Sequence, residues 1–360
     1  DNALVRNVVS IIKKLNLKNY YKLFDILSSN RFIARNFAGT VSKYGGIGVI
    51  SAAHAGYLEK DFETNTLKAN LRGLKKHIQK AKEISSNGII GVNIMVAINN
   101  YIDHVKTAIE AGADLIISGA GLPMNLPEIT KDSNVKIAPI VSSSKAAKVI
   151  LNYWKRHYNI TADAVIIEGP MAGGHLGFKA DKLDDEIEGF DNNIINILKE
   201  VKNFETEFDK KIPVIVAGGV YTHEDIVKYQ NLGASGVQIS TRFVATSECD
   251  AHINFKNAYI DCKKDDIKII KSPVGMPGRS IRNKLIERLE KGHIKVDKCY
   301  NCLIPCNPSI TPYCITSALI SAVKGDLDNG LIFCGSNAYK VNKIISVKEL
   351  LIELNGDELP

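Results

Sequence analysis

No stretch of this 360-residue chain approaches the roughly 18 to 20 consecutive apolar residues of a membrane-spanning helix, and its first residues lack the basic-then-apolar pattern of a secretory signal. A cytoplasmic protein with no membrane partner is expected. Low-complexity tracts are missing too, and 45% hydrophobic with 24% charged residues leaves no reason to expect disorder. The formal net charge of +7 comes from lysines spread along the chain. No basic run interleaved with aromatics occurs, so a solvated basic surface open to anionic small molecules is expected, with no nucleic-acid partner. A disulfide framework is excluded as well: the seven cysteines are odd in number, and four crowd between Cys299 and Cys314. A reducing compartment fits. Residues 1–36 contain no proline, glutamine or glycine.

Most informative among what is present is Glu168-Gly-Pro-Met-Ala-Gly-Gly174-His175-Leu-Gly177, directly after the apolar run 164–167. Imidazole titrates nearest neutrality, and glycines allow a ligand close to the backbone. His175 therefore reads as a catalytic base acting on a small molecule, the alternative being a loop histidine bonded to a backbone carbonyl.

Seven short β-rich runs, 48–51, 89–96, 115–118, 135–141, 164–167, 212–217 and 236–239, alternate with helical patterns. Several are continuous Val/Ile runs, as when both faces of a parallel strand are buried. In the first long helix Leu67, Leu71, Leu74, Ile78 and Ala81 fall on one face. Repeated βα units build a doubly wound sheet or a closed barrel. Polar and glycine-rich residues collect where the runs stop, which favours a TIM (β/α)8 barrel with its site on that face. The eighth strand must come from the N-terminal segment, with 21–27 its best candidate. The expected organisation is an atypical segment 1–36, a barrel over 37–245, and a C-terminal extension of helices and loops over 246–360 that carries a Cys-rich loop, 299–314.

Two strand ends suit a phosphate. Ala217-Gly218-Gly219-Val220 leads into Thr222-His-Glu-Asp225, a glycine turn and a capped helix start with free N–H groups. Gln238-Ile-Ser240-Thr241-Arg242-Phe243 adds two hydroxyls, further backbone donors and a cation, and barrels commonly hold phosphate after their last two strands.

Together with Gly45-Gly-Ile-Gly-Val-Ile-Ser51, Gly91-Val-Asn93-Ile-Met95 and Ser118-Gly-Ala-Gly121, these segments resemble the nitronate monooxygenase family, formerly the 2-nitropropane dioxygenases. A close relative of that family is the flavin-dependent enoyl-acyl-carrier-protein reductase II. The resemblance covers about residues 37–290. It implies a barrel holding FMN non-covalently, with the phosphate in the 217–220 and 240–241 loops. By the same resemblance Asn93 and Ser118 contact the flavin ring or ribityl chain, while Glu168, Gly174, Gly218, Gly219, Gln238, Ser240 and Thr241 complete the cofactor shell. His175 matches the histidine that removes the proton α to the nitro group, or that serves substrate binding or protonation in the reductases. Ser240 stands where glycine is more usual. At the front, a Pro-Ile-Ile-Gln-Gly-Gly-Met-like first strand is missing from residues 1–36: either that strand has diverged, or the N-terminal sequence is not what an intact family member encodes.

The function expected is oxidation of alkyl nitronates with dioxygen. The alternatives are an enoyl reductase using NAD(P)H as co-substrate and an acyl carrier protein as partner, and a flavin-free barrel acting as a scaffold. A homodimer is compatible with each. Cys299-x2-Cys302-x3-Cys306-x7-Cys314 could ligate an iron–sulfur cluster or zinc, but a metal-free loop stiffened by Pro305, Pro308 and Pro312 is the preferred reading. His54, after the 48–51 run, stands on the same face as the site and is a candidate to line it.

Overall fold

In the computed structural model, residues 35–356 are described. All seven apolar runs form strands: β1 Ile47–Ser51, β2 Ile89–Met95, β3 Leu115–Gly119, β4 Lys136–Val141, β5 Val165–Glu168, then, after the two-residue β6 Gly174–His175, β7 Val214–Ala217 and β8 Gly236–Gln238. All but β6 pair in parallel in the order β1-β2-β3-β4-β5-β7-β8. Helices in the connections cover the outside. The sheet curls as a (β/α) barrel does, and its period-2 geometry sorts the side chains. Ile47, Val49, Ile89, Leu115, Ile117, Ala138, Ile166 and Ile215 fill the interior, whereas Ile50, Val92, Ile94, Ile116, Val165 and Val216 pack under the helices. Both faces of each strand are thus buried, which is why the runs are continuous.

The expected helix over 67–81 is Thr66–Ser85, but its buried stripe is Asn70, Gly73, Leu74, Ile78 and Ala81, and Leu67 and Leu71 lie at the margin. The shift follows from Gly73, where a Cβ would come within 2.3 Å of the Ala55 carbonyl oxygen. The helix presses onto the 55–56 backbone there, and Gly56 N donates to Asn70 Oδ1 at 3.0 Å.

The proposed eighth strand, 21–27, lies outside the described residues. The described sheet has β1 at one edge and β8 at the other, with a seam between them. Across that seam Phe37 meets Phe243 edge to face at 5.4 Å, and Asn36 N donates to Asp250 at 3.1 Å.

Beyond residue 245 the expected helices are present, as Ile253–Ile260, Lys284–Lys291, Ile315–Val323 and Val347–Leu354. The segment is not helices and loops alone. Strands β9 Ile267–Lys271 and β10 Pro277–Ile281 form a hairpin, and β6 joins it as a third antiparallel strand in the order β6-β10-β9. Pro277 opens β10, a position where a missing N–H is tolerated. Tyr259, Tyr313, Phe333 and Leu351 belong to the same buried cluster as the outer faces of the strands, so this segment packs as part of the barrel's own core. Among the described residues no helix is long and apolar enough to cross a membrane.

Candidate active site

Strand parity decides which polar residues meet. Counting outward from the interior residues, Ser51, Asn93, Glu168 and Gln238 also point inward, at the C-terminal ends of β1, β2, β5 and β8. Ser51 lies level with Asn93, and Ala217 pairs with both Glu168 and Gln238. A polar layer therefore caps an apolar barrel interior. Ser118 is displaced from this set. It alternates with the inward Ile117, and its buried hydroxyl donates to the Ile94 carbonyl at 2.7 Å and lies 2.9 Å from the Tyr101 hydroxyl under a helix. Its side chain serves the sheet-to-helix seam, leaving its backbone and the inward-facing Gly119 to the site.

Glu168 sits deep among protein atoms, and burial pushes its carboxyl up to about 7; a 3.3 Å bond accepted from Gly177 N opposes the shift. Near neutrality it both holds and releases a proton.

His175 is not in an open loop. It forms β6 opposite Gly278, its Nε2 lies 2.6 Å from Ser272 Oγ, and its ring meets Phe333 edge to face at 5.1 Å. The loop before it is pinned as well: the Arg279 guanidinium donates to the Ala172 carbonyl, and Ser336 N donates to the Met171 carbonyl at 3.1 Å. Arg279 is 5% exposed, and burial lowers its pKa. No carboxylate pairs with it among the described residues.

The β7 turn has the expected form. Gly218 and Gly219 take φ of +95° and +84°, and a Cβ on Gly218 would lie 2.9 Å from Ala172 N. Two expected phosphate donors are absorbed by the fold instead. Thr222 does cap the helix His223–Asn231, but it does so in a reciprocal capping box: Asp225 accepts from Tyr221 N and Thr222 N at 2.8 and 3.0 Å, so that helix start is already filled by an acid. Arg242 forms a two-pronged ion pair with Glu353 at 2.8 and 2.9 Å and lies over the Tyr221 ring. It is a clamp for the C-terminal helix.

What remains points to a ligand. Gln238 Oε1, Ser240 Oγ and Ser336 Oγ are buried without partners among the described residues, an arrangement that costs free energy unless a ligand supplies an acceptor for the hydroxyls and a donor for the amide oxygen. Thr241 Oγ1 accepts from Gly335 N at 3.0 Å, and Asn337 Nδ2 donates to the Gly219 carbonyl at 2.7 Å. Segment 333–337 thus joins the His175 loop, the Gly218 turn and Thr241 into one wall. Ser272, Arg279, Phe333 and Ser336 were not found in the sequence, because each reaches the site from more than 90 residues beyond His175 or the β7 turn. The set fits an anionic, oxygen-rich group.

The cysteine cluster stands apart. Cys299 is exposed, Cys302, Cys306 and Cys314 are half-buried, and none of the seven cysteines forms a disulfide. Among the described residues no group of three or more His, Cys, Asp or Glu side chains is placed to hold a metal ion. His54 reaches toward Thr316, 3.4 Å away, and lines a separate cavity with Cys299 and Cys302.

Comparison with known proteins agrees with this geometry. The model of a family described as nitronate monooxygenase matches residues 31–357. A probable nitronate monooxygenase of Staphylococcus aureus is 24% identical over 274 residues, 70% of this chain and 73% of that protein. A (3aS,4S,5R,7aS)-5-hydroxy-7a-methyl-1-oxo-octahydro-1H-indene-4-carboxyl-CoA dehydrogenase of Mycobacterium tuberculosis is 27% identical over 248 residues, 69% of this chain; the match spans 59% of the dehydrogenase. Among solved structures, FabK from Thermotoga maritima superposes with a TM-score of 0.72 at 24% identity, covering 97% of this chain and 95% of that one.

Proposed function

The chain belongs to the nitronate monooxygenase family, and we propose that it is an FMN-dependent oxidoreductase that oxidises alkyl nitronates with dioxygen, with His175 as its base. One observation supports the reading: the buried oxygens of Gln238, Ser240 and Ser336, without partners among the described residues, stand beside the Gly218–Gly219 turn, on the wall that also holds His175. The backbone of Gly174, Gly218 and Gly219 and the hydroxyls of Ser240 and Thr241 would hold the phosphate. Asn93, Gln238 and Glu168, from the inward polar layer, would hold the ring and ribityl chain, with Ser118 contributing backbone alone. FMN, when bound, supplies electron acceptance and the reaction with dioxygen.

The protein's part is proton handling and positioning. Ser272 Oγ can accept from Nε2–H of His175 whether the imidazole is neutral or charged, so the ring stays oriented while its other nitrogen gains and returns a proton. Phe333 fixes the ring plane from the side. Glu168, neutral in part near pH 7, can donate to an acceptor atom that a permanently ionised carboxylate would repel.

Anaerobic stopped-flow mixing of the flavin-loaded protein tests the assignment: an alkyl nitronate should bleach the flavin absorbance, and dioxygen should restore it. Bleaching by NAD(P)H with none by nitronate would replace this reading with the enoyl reductase, for which an acyl carrier protein is the partner. Colourless protein after FMN saturation and desalting would leave only a scaffold.

A further inference from the structure

A second cavity, of about 330 Å3, lies outside the barrel interior, between the helices Thr66–Ser85 and Tyr101–Glu110 and beneath the Cys299–Cys302 turn. Both helices begin on it. Asn65, Thr66 and Leu67 line one side and Asn100 and His104 the other. Neither start is capped: the side chains of Asn65 and Asn100 make no capping bond, whereas Ser143, Thr222, Asn283 and Ser346 all cap theirs. Thr66 and Leu67, in the first turn of one helix, and Asn100, at the start of the other, thus line one space, a setting in which free N–H groups and positive helix ends favour an anion.

The second observation is His104, only 2% exposed. Its Nδ1 lies 3.0 Å from the Asn100 carbonyl oxygen. A carbonyl only accepts, so Nδ1 carries the proton and Nε2 presents a lone pair. Burial holds the ring neutral. Nε2 is buried and has no partner among the described residues. An anion that also donates a hydrogen bond would satisfy both features. Glu63 also lines the cavity, and its carboxylate is paired with Lys298 and accepts from the Tyr300 hydroxyl at 3.1 Å. Asp103 is exposed and does not line the cavity.

We propose that this cavity binds a hydrogenphosphate group, its P–OH donating to His104 Nε2 and its oxygens accepting from the helix start at Thr66 and Leu67. The volume exceeds that of the bare ion, so a small phosphate monoester has room as well. Sulfate is the discriminating probe: it has the same shape and a similar charge, but at neutral pH it carries no proton to donate.

The experiment is calorimetric titration of the flavin-loaded protein, in which the barrel's own phosphate site is filled, with sodium phosphate and with sodium sulfate at pH 7 and matched ionic strength. Phosphate should bind saturably and at least roughly tenfold more tightly than sulfate, the usual weight of a donor facing a buried acceptor. His104→Phe should bring phosphate down to the level of sulfate, while His104→Gln, which keeps an acceptor, should restore part of the preference. Flavin content and the melting curve of each variant show that it is folded. Titration with ribose 5-phosphate separates the sources: tighter binding than inorganic phosphate indicates a monoester, equal or weaker binding the free ion. Equal affinity for phosphate and sulfate, no saturable binding, or an unchanged preference in a folded His104→Phe protein would overturn the proposal.

Discussion

Replacing Glu168 with glutamine keeps shape and hydrogen bonding but removes the ionisation, and the structure sets the size of the effect. Burial raises this carboxyl from 4.5 to about 7. Between those values the unfolded chain has released its proton and the folded protein has kept it, so the folded state binds more protons and stability must fall as pH rises. At 1.36 kcal/mol per unit the full loss is about 3 kcal/mol, fully present above pH 7 and absent below 4.5. Part of the Glu168 surface remains reachable by solvent, so this is an upper figure. Urea melts of wild type and Glu168→Gln, both free of flavin, should therefore converge near pH 5 and separate above pH 7, the variant being the more stable at pH 8.5. A difference independent of pH, or a variant less stable at every pH, would refute the reasoning. Either result would mean that the carboxyl is solvated well enough to ionise normally.

His175→Asn should retain flavin and lose at least roughly a hundredfold in turnover, and Ser272→Ala should lower turnover less while shifting its pH profile, because the orienting partner alone is removed. Steady-state assays across pH check both, and unchanged turnover in His175→Asn would return that histidine to a structural role. Gly218→Ala places a Cβ 2.9 Å from Ala172 N at a φ of +95° and should abolish stable flavin binding, read as absorbance remaining after desalting. Arg242→Gln should leave flavin affinity within a few-fold of wild type yet lower the melting temperature, since its ion pair holds the C-terminal helix; a large affinity loss would restore Arg242 to the phosphate site.

The barrel was legible because parallel strands buried on both faces write themselves as unbroken Val/Ile runs, and glycines mark where such strands stop. The site was legible only as far as it is local. Gly218, Gly219 and Ser240 follow their strands directly. The diversion of Arg242 to Glu353 spans 111 residues, and the bond from His175 to Ser272 spans 97, so neither leaves a trace in the neighbouring sequence. Ser118 could have been placed by parity: Ile117 faces inward, so its neighbour faces the helices. Hairpin β9–β10 escaped because 267–271 is short and carries lysines, and its pairing partner β6 is only two residues long.

That two-residue strand has a consequence for how the molecule can be divided. A cut near residue 246, where the βα rhythm stops, looks like the natural place to trim the chain to a minimal barrel or to splice it onto another. Such a cut would carry away β10, Ser272 and Phe333 together, and with them the strand pairing, hydrogen bond and ring contact they give His175. The piece left behind would keep its strands and glycine turns but lose these contacts to His175. For grafting, recombination or library design, the smallest exchangeable unit therefore runs from the barrel through segment 333–337.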